Sequence, residues 1–341
     1  MINVGFIGCG AMGRDHVRRI TERCAGAQVI GVYDTVVENA HKAIDDNHLD
    51  ATIYDSADAL ISDPKVDAVV IASRNDVHLD PLLQTIELGK PTFTEKPMTI
   101  NGSDSWKVVE AEVAKGRRTI QVGFNWRFDP GYDSMKQFVD AGKIGTLLMA
   151  GMRHYNSSAA TSYYGTDNVI NDTLIHNFDI LHYMFGDDFK SIEMKFARMN
   201  SLNPNGESLR EPQLAILEFQ GGAIATAEAN VNCQYGYDIQ CRLVGESGII
   251  SLPDVATPEV RKAGQISHAI SDAWFDRFID AYDREFERFF SNIEADRQPG
   301  GTEATAWDGY VANVTADAAL ESLHHGGRIP IELNEQPALY R

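Results

Sequence analysis

An acid and a base stand four residues apart in NDTLIHNFDILHY, residues 171–183. The apolar positions of this stretch predict a largely buried helix. Because side chains four apart share one face of a helix, Asp172 and His176 are expected on the same pocket wall. An imidazole with an ordinary pKa near ~6.5 is suited to accept a proton there, and a carboxylate can orient it. The structural alternative is that Asp172 caps the helix and His176 is a buried, hydrogen-bonded histidine.

The turn GCGAMG, residues 8–13, has the glycine spacing of a dinucleotide phosphate cradle. It follows an apolar strand and begins a helix. Gly8 permits the tight turn, Gly10 lets a pyrophosphate approach the backbone, and Gly13 allows close helix packing. Asp34, at the end of the next strand, can accept hydrogen bonds from ribose hydroxyls and would repel a 2′-phosphate, which favours NAD over NADP. The predicted cofactor contacts here are Gly8, Gly10, Ala11, Met12, Gly13 and Asp34.

A lysine precedes proline in FTEKPMT, residues 93–99, at the end of a predicted strand. Ligands of open α/β sheets bind outside the carboxyl ends of the strands, so Glu95 and Lys96 are predicted beside the nicotinamide. A cis bond at Pro97 would turn Lys96 into the cleft. Taken alone, Lys96 is equally well explained as a solvated surface lysine. The other predicted cofactor contacts are Ser73, Asn75, His78, Glu95 and Lys96.

Two sequence patterns must position these residues. Strands alternate with amphipathic helices from residue 2 to about residue 124, and the strands are INVGFIG, QVIGVYD, DAVVIAS, PTFTEK and TIQVGF. Longer strands follow, namely LLMAGMRHYN, SIEMKFARMN, LAILEFQ, AIATAEANVNC, DIQCRLVG and IISL. Their alternation is typical of antiparallel strands with one covered face. Helical spacing returns in AWFDRFIDAYDREFERFFSNI and over residues 302–324.

The fold class is therefore α/β with two domains, as expected for 341 residues. Residues 1–124 form an N-terminal Rossmann domain with a doubly wound parallel sheet. Residues 125–341 form a C-terminal α+β domain with a large, mainly antiparallel open sheet.

Composition limits the class of partner. A formal charge of -19 argues against nucleic acid and anionic membrane surfaces, and no apolar run approaches membrane-spanning length. The chain begins directly with MINVGFIGCG, without a basic segment ahead of an apolar one, so a cytoplasmic protein is expected. The four cysteines form no CxxC pair, which favours free thiols, and no protein-bound metal is expected.

The GCGAMG turn, the Glu95-Lys96-Pro97 motif, and Asp172 with His176 together resemble the Gfo/Idh/MocA oxidoreductases. Longer stretches are similar to inositol-oxidising members of that family, namely GFNWRFDPGYDSMK, MRHYNSS, NDTLIHNFDILHYM, VNCQYGYDIQC and RFIDAYDREF. The resemblance spans essentially the whole chain and implies a catalytic triad of Lys96, Asp172 and His176. It implies substrate contacts at Arg127, His154, Asn156, Asp172, His176, Tyr235, Trp274 and Tyr282.

Some of these residues have structural alternatives. From the sequence alone, Arg127 is equally well explained by pairing with an acidic neighbour, and Tyr282 and Trp274 by core packing. His154 and Asn156 lie two apart in a strand and therefore face the same side. The resemblance also fails at one position, because Asn177 stands where relatives commonly carry an acidic residue.

The activity implied by the resemblance is NAD-dependent oxidation of a polyol. The leading hypothesis is myo-inositol oxidised at carbon 2 to 2-keto-myo-inositol (scyllo-inosose), with formation of NADH. Another inositol isomer, a pyranose sugar, or a non-catalytic NAD-binding sensor are the alternatives. Whether Lys96 or His176 is the primary base stays open, because coupled groups share their titration. A homo-oligomer, dimer or tetramer, is expected from the open sheet.

Overall fold

The computed structural model describes residues 1–159, 163–272 and 277–341, and these form two compact units. Unit 1 consists of Met1–Phe128, Asp280–Asn313 and Leu333–Arg341. Unit 2 consists of Asp129–Ile279 and Val314–Glu332. The sequence predicts one domain from residue 125 onwards. Two later segments instead pack within unit 1: Phe286, Phe289 and Phe290 of the first complete its hydrophobic core, and the Tyr340 hydroxyl of the second donates to the buried Glu112.

Unit 1 contains a six-stranded parallel sheet in the order β3-β2-β1-β4-β5-β6. Its strands are β1 (Ile2–Ile7), β2 (Ala27–Tyr33), β3 (Thr52–Ile53), β4 (Ala68–Ile71), β5 (Thr92–Glu95) and β6 (Ile120–Gly123). This is the doubly wound order, and its direction reverses between β1 and β4. Five of the six strands were predicted, and only the two-residue β3 was missed.

Nine α-helices lie within the described residues. They are α1 (Ala11–Arg23), α2 (Val37–Asn47), α3 (Ala57–Ser62), α4 (Leu79–Leu88), α5 (Gly102–Lys115), α6 (Pro130–Asp140), α7 (Ile175–Phe185), α8 (Ile279–Glu294) and α9 (Ala306–His325). Local chemistry sets several of their ends. The side chain of Asn101 accepts a hydrogen bond from the Asp104 amide at the start of α5, and Gly116 ends this helix at a φ of 69°.

Unit 2 contains a seven-stranded sheet in the order β12-β11-β7-β10-β9-β8-β15. Its strands are β7 (Leu147–Tyr155), β8 (Phe189–Phe196), β9 (Gln213–Phe219), β10 (Ile224–Asn230), β11 (Asp238–Gly245), β12 (Ile249–Ser251) and β15 (Arg328–Pro330). Only β7 and β10 pair in parallel, so the prediction of a mainly antiparallel sheet is confirmed. A small hairpin is formed by β13 (Val260–Lys262) and β14 (Gln265–Ser267).

The helix that carries the acid and base differs from the prediction. The sequence predicted one regular helix, whereas a π-helical stretch, Val169–Leu174, precedes α7. Asp172 lies in the π-helical stretch and His176 in the first turn of α7. Hydrophobic periodicity could not show this, because Val169, Ile170 and Leu174 are buried in either geometry.

The described part of the chain has neither a membrane-spanning helix nor a cluster of metal-ligating side chains. Among its helices, none combines the length and the apolar character needed to cross a membrane. Residues 1–159, 163–272 and 277–341 contain no group of three or more His, Cys, Asp or Glu side chains placed to hold a metal ion.

Candidate active site

The glycine turn lies between β1 and α1, where the order of the parallel sheet reverses. Gly8 has a φ of 92°, and a Cβ atom there would meet the Ser73 amide nitrogen at 2.3 Å. A Cβ at Gly13 would meet the Gly8 carbonyl oxygen at 1.9 Å, whereas a Cβ at Gly10 would meet nothing within 4 Å. Gly8 and Gly13 are therefore required by the fold, and Gly10 leaves open space beside the backbone.

The beginning of α1 is suited to an anion. Gly10 precedes the helix and has no side chain to bond the first amide groups, so these donors remain available to a pyrophosphate. Ala11 and Met12 form the first turn. Burial, together with the charge of Asp34, raises the pKa of the Cys9 thiol to about 12, so no thiolate opposes a phosphate in this turn.

Asp34 follows β2 and orients towards the same turn. Its Oδ2 atom accepts a hydrogen bond from the Cys9 amide at 2.7 Å, and Oδ1 accepts from the Val36 amide at 2.8 Å. These bonds fix a half-buried carboxylate next to the glycine turn. The next residue, Thr35, is uncharged, which fits ribose hydroxyls better than a 2′-phosphate.

The loop after β4 lies on the other side of the switch point and contains Ser73, Asn75 and His78. The imidazole of His78 is almost fully buried. Its Nε2 atom lies 3.0 Å from the Ser73 carbonyl oxygen, and its Nδ1 atom lies 3.3 Å from the Met98 carbonyl oxygen. His78 therefore joins this loop to the one that follows Lys96. Burial lowers the pKa of His78 and favours the neutral ring, which carries a single N–H. Nε2 donates it to the nearer carbonyl, that of Ser73, and Nδ1 can accept from the Thr94 hydroxyl at 3.4 Å, so the Met98 carbonyl is a packing contact. These contacts support the loop, and the cofactor contact of His78 stays a prediction.

The Glu95-Lys96-Pro97 motif ends β5, and the Lys96–Pro97 peptide bond is cis. The Glu95 carboxylate is buried: Oε1 lies 2.6 Å from His16 Nε2, and Oε2 accepts the Lys96 amide at 3.1 Å. Glu95 thus connects α1 to the lysine backbone. Lys96 itself is partly exposed at the carboxyl end of the sheet, as the sequence predicted.

A second group of polar side chains lies in unit 2. The rings of His154, on β7, and His176, on α7, have centroids 6.2 Å apart, and both are buried. Tyr237 contacts His154 edge-on at 5.9 Å, with its hydroxyl 3.5 Å from Nε2. Burial and the negative charge of Asp172 raise the pKa of Tyr237, against the effect of Arg277, so this hydroxyl stays protonated. These side chains bring several hydrogen-bonding groups together in one buried cluster.

Other predicted substrate residues have different surroundings. Arg127 is buried and forms an ion pair with Asp308 at 2.9 Å, and Tyr282 packs on His16 and under the Arg19 guanidinium in unit 1. These contacts match the structural alternatives. Tyr235 is 47% exposed, and its hydroxyl donates to Asp238 rather than to the histidine group.

Asn156 and Trp274 complete the predicted substrate contacts. Asn156 follows β7 directly, and its backbone amide donates to the Asn230 carbonyl oxygen at 2.9 Å. Trp274 lies outside the described residues. Three polar residues at the predicted sites were not among the sequence predictions, namely His16, Asn177 and Tyr237. Asn177 was noted only as a departure from the family pattern, and no local pattern distinguishes Tyr237 from Tyr235 in CQYGYD.

Comparison with known proteins identifies the class. Residues 2–124 match the oxidoreductase family's NAD-binding Rossmann fold, and residues 136–333 match its C-terminal alpha/beta domain. The chain belongs to the Gfo/Idh/MocA oxidoreductase family.

Individual relatives narrow the comparison. The chain is 40% identical to inositol 2-dehydrogenase of Salmonella typhimurium over 340 residues, covering 100% of the chain and 99% of that protein. It is 41% identical to inositol 2-dehydrogenase of Pseudomonas fluorescens over 339 residues, with 99% of each covered. The crystal structure of myo-inositol dehydrogenase from Lactobacillus casei with NAD(H) and myo-inositol matches at a TM-score of 0.96 and 35% identity, with both chains fully covered.

Proposed function

We propose that this protein oxidises myo-inositol at carbon 2 with NAD, giving 2-keto-myo-inositol and NADH. The observation that carries the proposal is full-length similarity to a solved myo-inositol dehydrogenase, in a chain that has Lys96, Asp172 and His176. Fold likeness alone would not identify a substrate, because one fold supports many reactions. The supporting site features are the glycine turn of unit 1 and the buried polar group of unit 2.

NAD fits the residues of unit 1. The space beside Gly10, the uncapped amides at the start of α1 and the oriented Asp34 carboxylate suit its pyrophosphate and ribose. When bound, NAD supplies a nicotinamide that accepts the carbon-bound hydrogen as hydride.

The chain's own residues bind the polyol and move its hydroxyl proton. In the proposal, the His176 imidazole accepts that proton, and Asp172 stabilises the resulting imidazolium. The Lys96 ammonium donates to the same substrate oxygen and stabilises its developing negative charge. His154 and Tyr237 contact other hydroxyls of the ring. Lys96 belongs to unit 1 and the acid–base pair to unit 2, so kinetics of variants must test their joint action.

The first experiment measures NADH formation by the purified protein with myo-inositol and NAD. Parallel reactions replace NAD with NADP, and myo-inositol with scyllo-inositol, chiro-inositol or glucose. Rapid reduction with NAD and myo-inositol supports the proposal, whereas a faster reaction with another polyol identifies that polyol as the substrate. NAD binding without turnover across the whole panel would instead indicate a sensor.

Single variants test the catalytic assignments in the same assay. Lys96→Met, Asp172→Asn and His176→Ala are expected to lower kcat, with a loss of about 10²–10⁴-fold for the proton acceptor. His182→Ala is the matched control, because His182 lies at the end of the same helix and contacts Asp188 at 2.9 Å. Near-full turnover by His176→Ala would remove this histidine from its proposed role, and the pH–rate profiles would show whether Lys96 is the base instead.

The open face of the unit 2 sheet supports a homo-oligomer, dimer or tetramer, as part of the proposal. Met149 is 53% exposed and Ile224 is 42% exposed, and these two residues are paired on adjacent strands. Burial of such residues against a second copy would remove apolar surface from water. Light scattering that shows a monomer at micromolar concentration would contradict this part.

We also propose a cytoplasmic location. The four cysteines are free, and Cys9, Cys24 and Cys241 are buried, which suits a reducing compartment. Fractionation of cells that express the tagged protein tests it, and recovery outside the cytoplasmic fraction would contradict it.

A further inference from the structure

The Asn177 side chain is fully buried and bridges two residues of β7. Its Oδ1 atom lies 3.1 Å from His154 Nδ1, and its Nδ2 atom lies 3.7 Å from the Met152 sulfur. Met152 and His154 are two apart on the strand and therefore face the same side. The amide of Asn177, which follows His176 on α7, thus contacts both Met152 and His154.

The chemistry of these partners favours one orientation of the amide. A thioether sulfur is a weak acceptor and never a donor, so the 3.7 Å contact suits the NH₂ group of Asn177 on the Met152 side. The carbonyl oxygen Oδ1 then faces His154. Because that oxygen can only accept, His154 must carry its hydrogen on Nδ1. In the neutral ring Nε2 has no hydrogen and is an acceptor.

The second partner of His154 agrees with this tautomer. The Tyr237 hydroxyl lies 3.5 Å from Nε2 and stays protonated, so it can donate to Nε2. The ring is 4% exposed, and its centroid lies 6.2 Å from that of His176. The Tyr237 contact is at the outer limit of a hydrogen bond, and a hydroxyl group of a bound polyol can take its place as the donor to this nitrogen.

We propose that Asn177 is a positioning residue that holds His154 as the Nδ1–H tautomer, so that Nε2 accepts a hydrogen bond from a hydroxyl of the polyol. This inference rests on the proposed function and adds a determinant of substrate binding. His154 contacts the substrate, and Asn177 acts only through His154.

His154 can accept a hydrogen bond at Nε2 only while its ring is neutral, so the charges around it matter. His154 faces the titratable His176 on α7 and Tyr237 before β11. Asp172, from the π-helical stretch, and the ion pair of Arg277 with Asp129 act on Tyr237 electrostatically. A neutral amide at position 177 orients His154 without adding another charge, whereas a carboxylate there would favour the imidazolium.

Nitrogen-15 NMR of histidine-labelled protein tests the tautomer without any turnover. The signals of His154 are assigned by their loss in His154→Phe. In the unsubstituted protein near pH 7, the expected spectrum shows a protonated Nδ1 and an unprotonated Nε2. In Asn177→Leu the Nδ1–H preference is expected to disappear, and in Asn177→Asp the titration of His154 is expected to move to higher pH.

Steady-state kinetics test the effect on the substrate. In Asn177→Asp the His154 ring is expected to be an imidazolium, whose Nε2 carries a hydrogen and cannot accept a hydrogen bond from the substrate. The KM for myo-inositol should therefore rise on the order of tenfold near pH 7, with the KM for NAD unchanged. Raising the pH should restore a normal KM, which a purely structural role would not predict. Asn200→Asp makes the same chemical change elsewhere in unit 2, where Asn200 contacts Leu202 and Asn232, and should leave both KM values unchanged.

Two results would overturn the inference. One is an Nε2–H tautomer of His154 in the unsubstituted protein. The other is an Asn177→Leu variant with the original tautomer and an unchanged KM for myo-inositol. Failure of the proposed function is distinguishable, because it would appear as no turnover of myo-inositol while the NMR result could still support the tautomer.

Discussion

The Nε2 atom of His16 lies 2.6 Å from the Oε1 atom of Glu95, and both side chains are buried. This hydrogen bond joins α1, which begins at the glycine turn, to the end of β5, which leads to Lys96. The second carboxylate oxygen accepts the Lys96 amide. One buried carboxylate thus connects the predicted pyrophosphate site to the backbone of the predicted catalytic lysine.

Glu95→Gln should destabilise the protein by about 1–3 kcal/mol. Glutamine has one acceptor oxygen, whereas both oxygens of Glu95 accept hydrogen bonds, from His16 and from Lys96. Urea unfolding at pH 7 measures the loss. A variant as stable as the parent would show that one of these two bonds contributes nothing.

The same carboxylate should make stability depend on acid pH. Burial, the largest effect, raises the pKa of Glu95, but the hydrogen bond and charge of His16, with Lys96, bring it below the ordinary 4.5. A carboxyl group whose pKa is lower in the folded protein than in the unfolded chain stabilises the fold at pH values above its unfolded-state pKa. This stabilisation is lost as the pH falls through the folded-state pKa. As the pH is lowered from 6 to 3, the free energy of unfolding should therefore decrease less steeply for Glu95→Gln than for the parent protein. The same pH dependence in both proteins would contradict this.

Alanine at two glycines should separate folding from cofactor binding. Gly13→Ala places a Cβ atom 1.9 Å from the Gly8 carbonyl oxygen, and a loss of about 3 kcal/mol is expected. Gly10→Ala meets no atom within 4 Å, so stability should change by less than about 0.5 kcal/mol. The new methyl group occupies the space beside the pyrophosphate, and the NADH Kd should rise roughly tenfold or more. Thermal unfolding and NADH fluorescence measure the two effects, and normal NADH binding by Gly10→Ala would contradict the predicted site.

The ion pair of Arg127 with Asp308 should be important for stability. The Arg127 side chain is 1% exposed, so Arg127→Met leaves a partly buried carboxylate without this cation and should cost about 3–5 kcal/mol. Arg328→Met is the control: Arg328 pairs with Glu218 but is 59% exposed, and the cost there should be about 0–1 kcal/mol. Denaturant unfolding compares the two. Equal stability losses would contradict the structural role, and a stable Arg127→Met with raised KM for myo-inositol would favour substrate contact.

Asp34→Asn should weaken discrimination between the two nicotinamide cofactors. Asparagine keeps one acceptor oxygen next to the Cys9 and Val36 amides but removes the charge that repels a 2′-phosphate. The ratio of kcat/KM for NAD to that for NADP should fall by about an order of magnitude. Asp63→Asn, at another acidic residue of unit 1 that bonds a backbone amide, is the control. An unchanged ratio in Asp34→Asn would place discrimination elsewhere.

Much of unit 1 could be predicted because its signals are local. Apolar runs of four to seven residues identified β1, β2, β4, β5 and β6, and the glycine spacing identified the turn before α1. The carboxyl ends of parallel strands share one edge, so Lys96 could be assigned to that edge without coordinates. The strand β3, with two residues, is too short to carry a pattern.

The surroundings of the predicted site residues could not be predicted in the same way. The apolar stripe of α8 was visible in the sequence, but its packing in unit 1 was not, because a stripe does not specify its partner. Arg127 could pair or bind substrate, and only the contact with Asp308, 181 positions away, favours pairing. The π-helical stretch before α7 has no hydrophobic period that distinguishes it from an ordinary turn.

The sequence by itself determined the two kinds of sheet, the glycine turn and the position of Lys96 at a strand end. These depend on interactions within one element or between neighbours along the chain. The tertiary structure decided which polar groups meet: His16 with Glu95, His78 with Ser73, and Asn177 with His154. Such partners are brought together by burial of apolar surface across distant segments. Their hydrogen bonds then form because a buried polar group without a partner costs free energy.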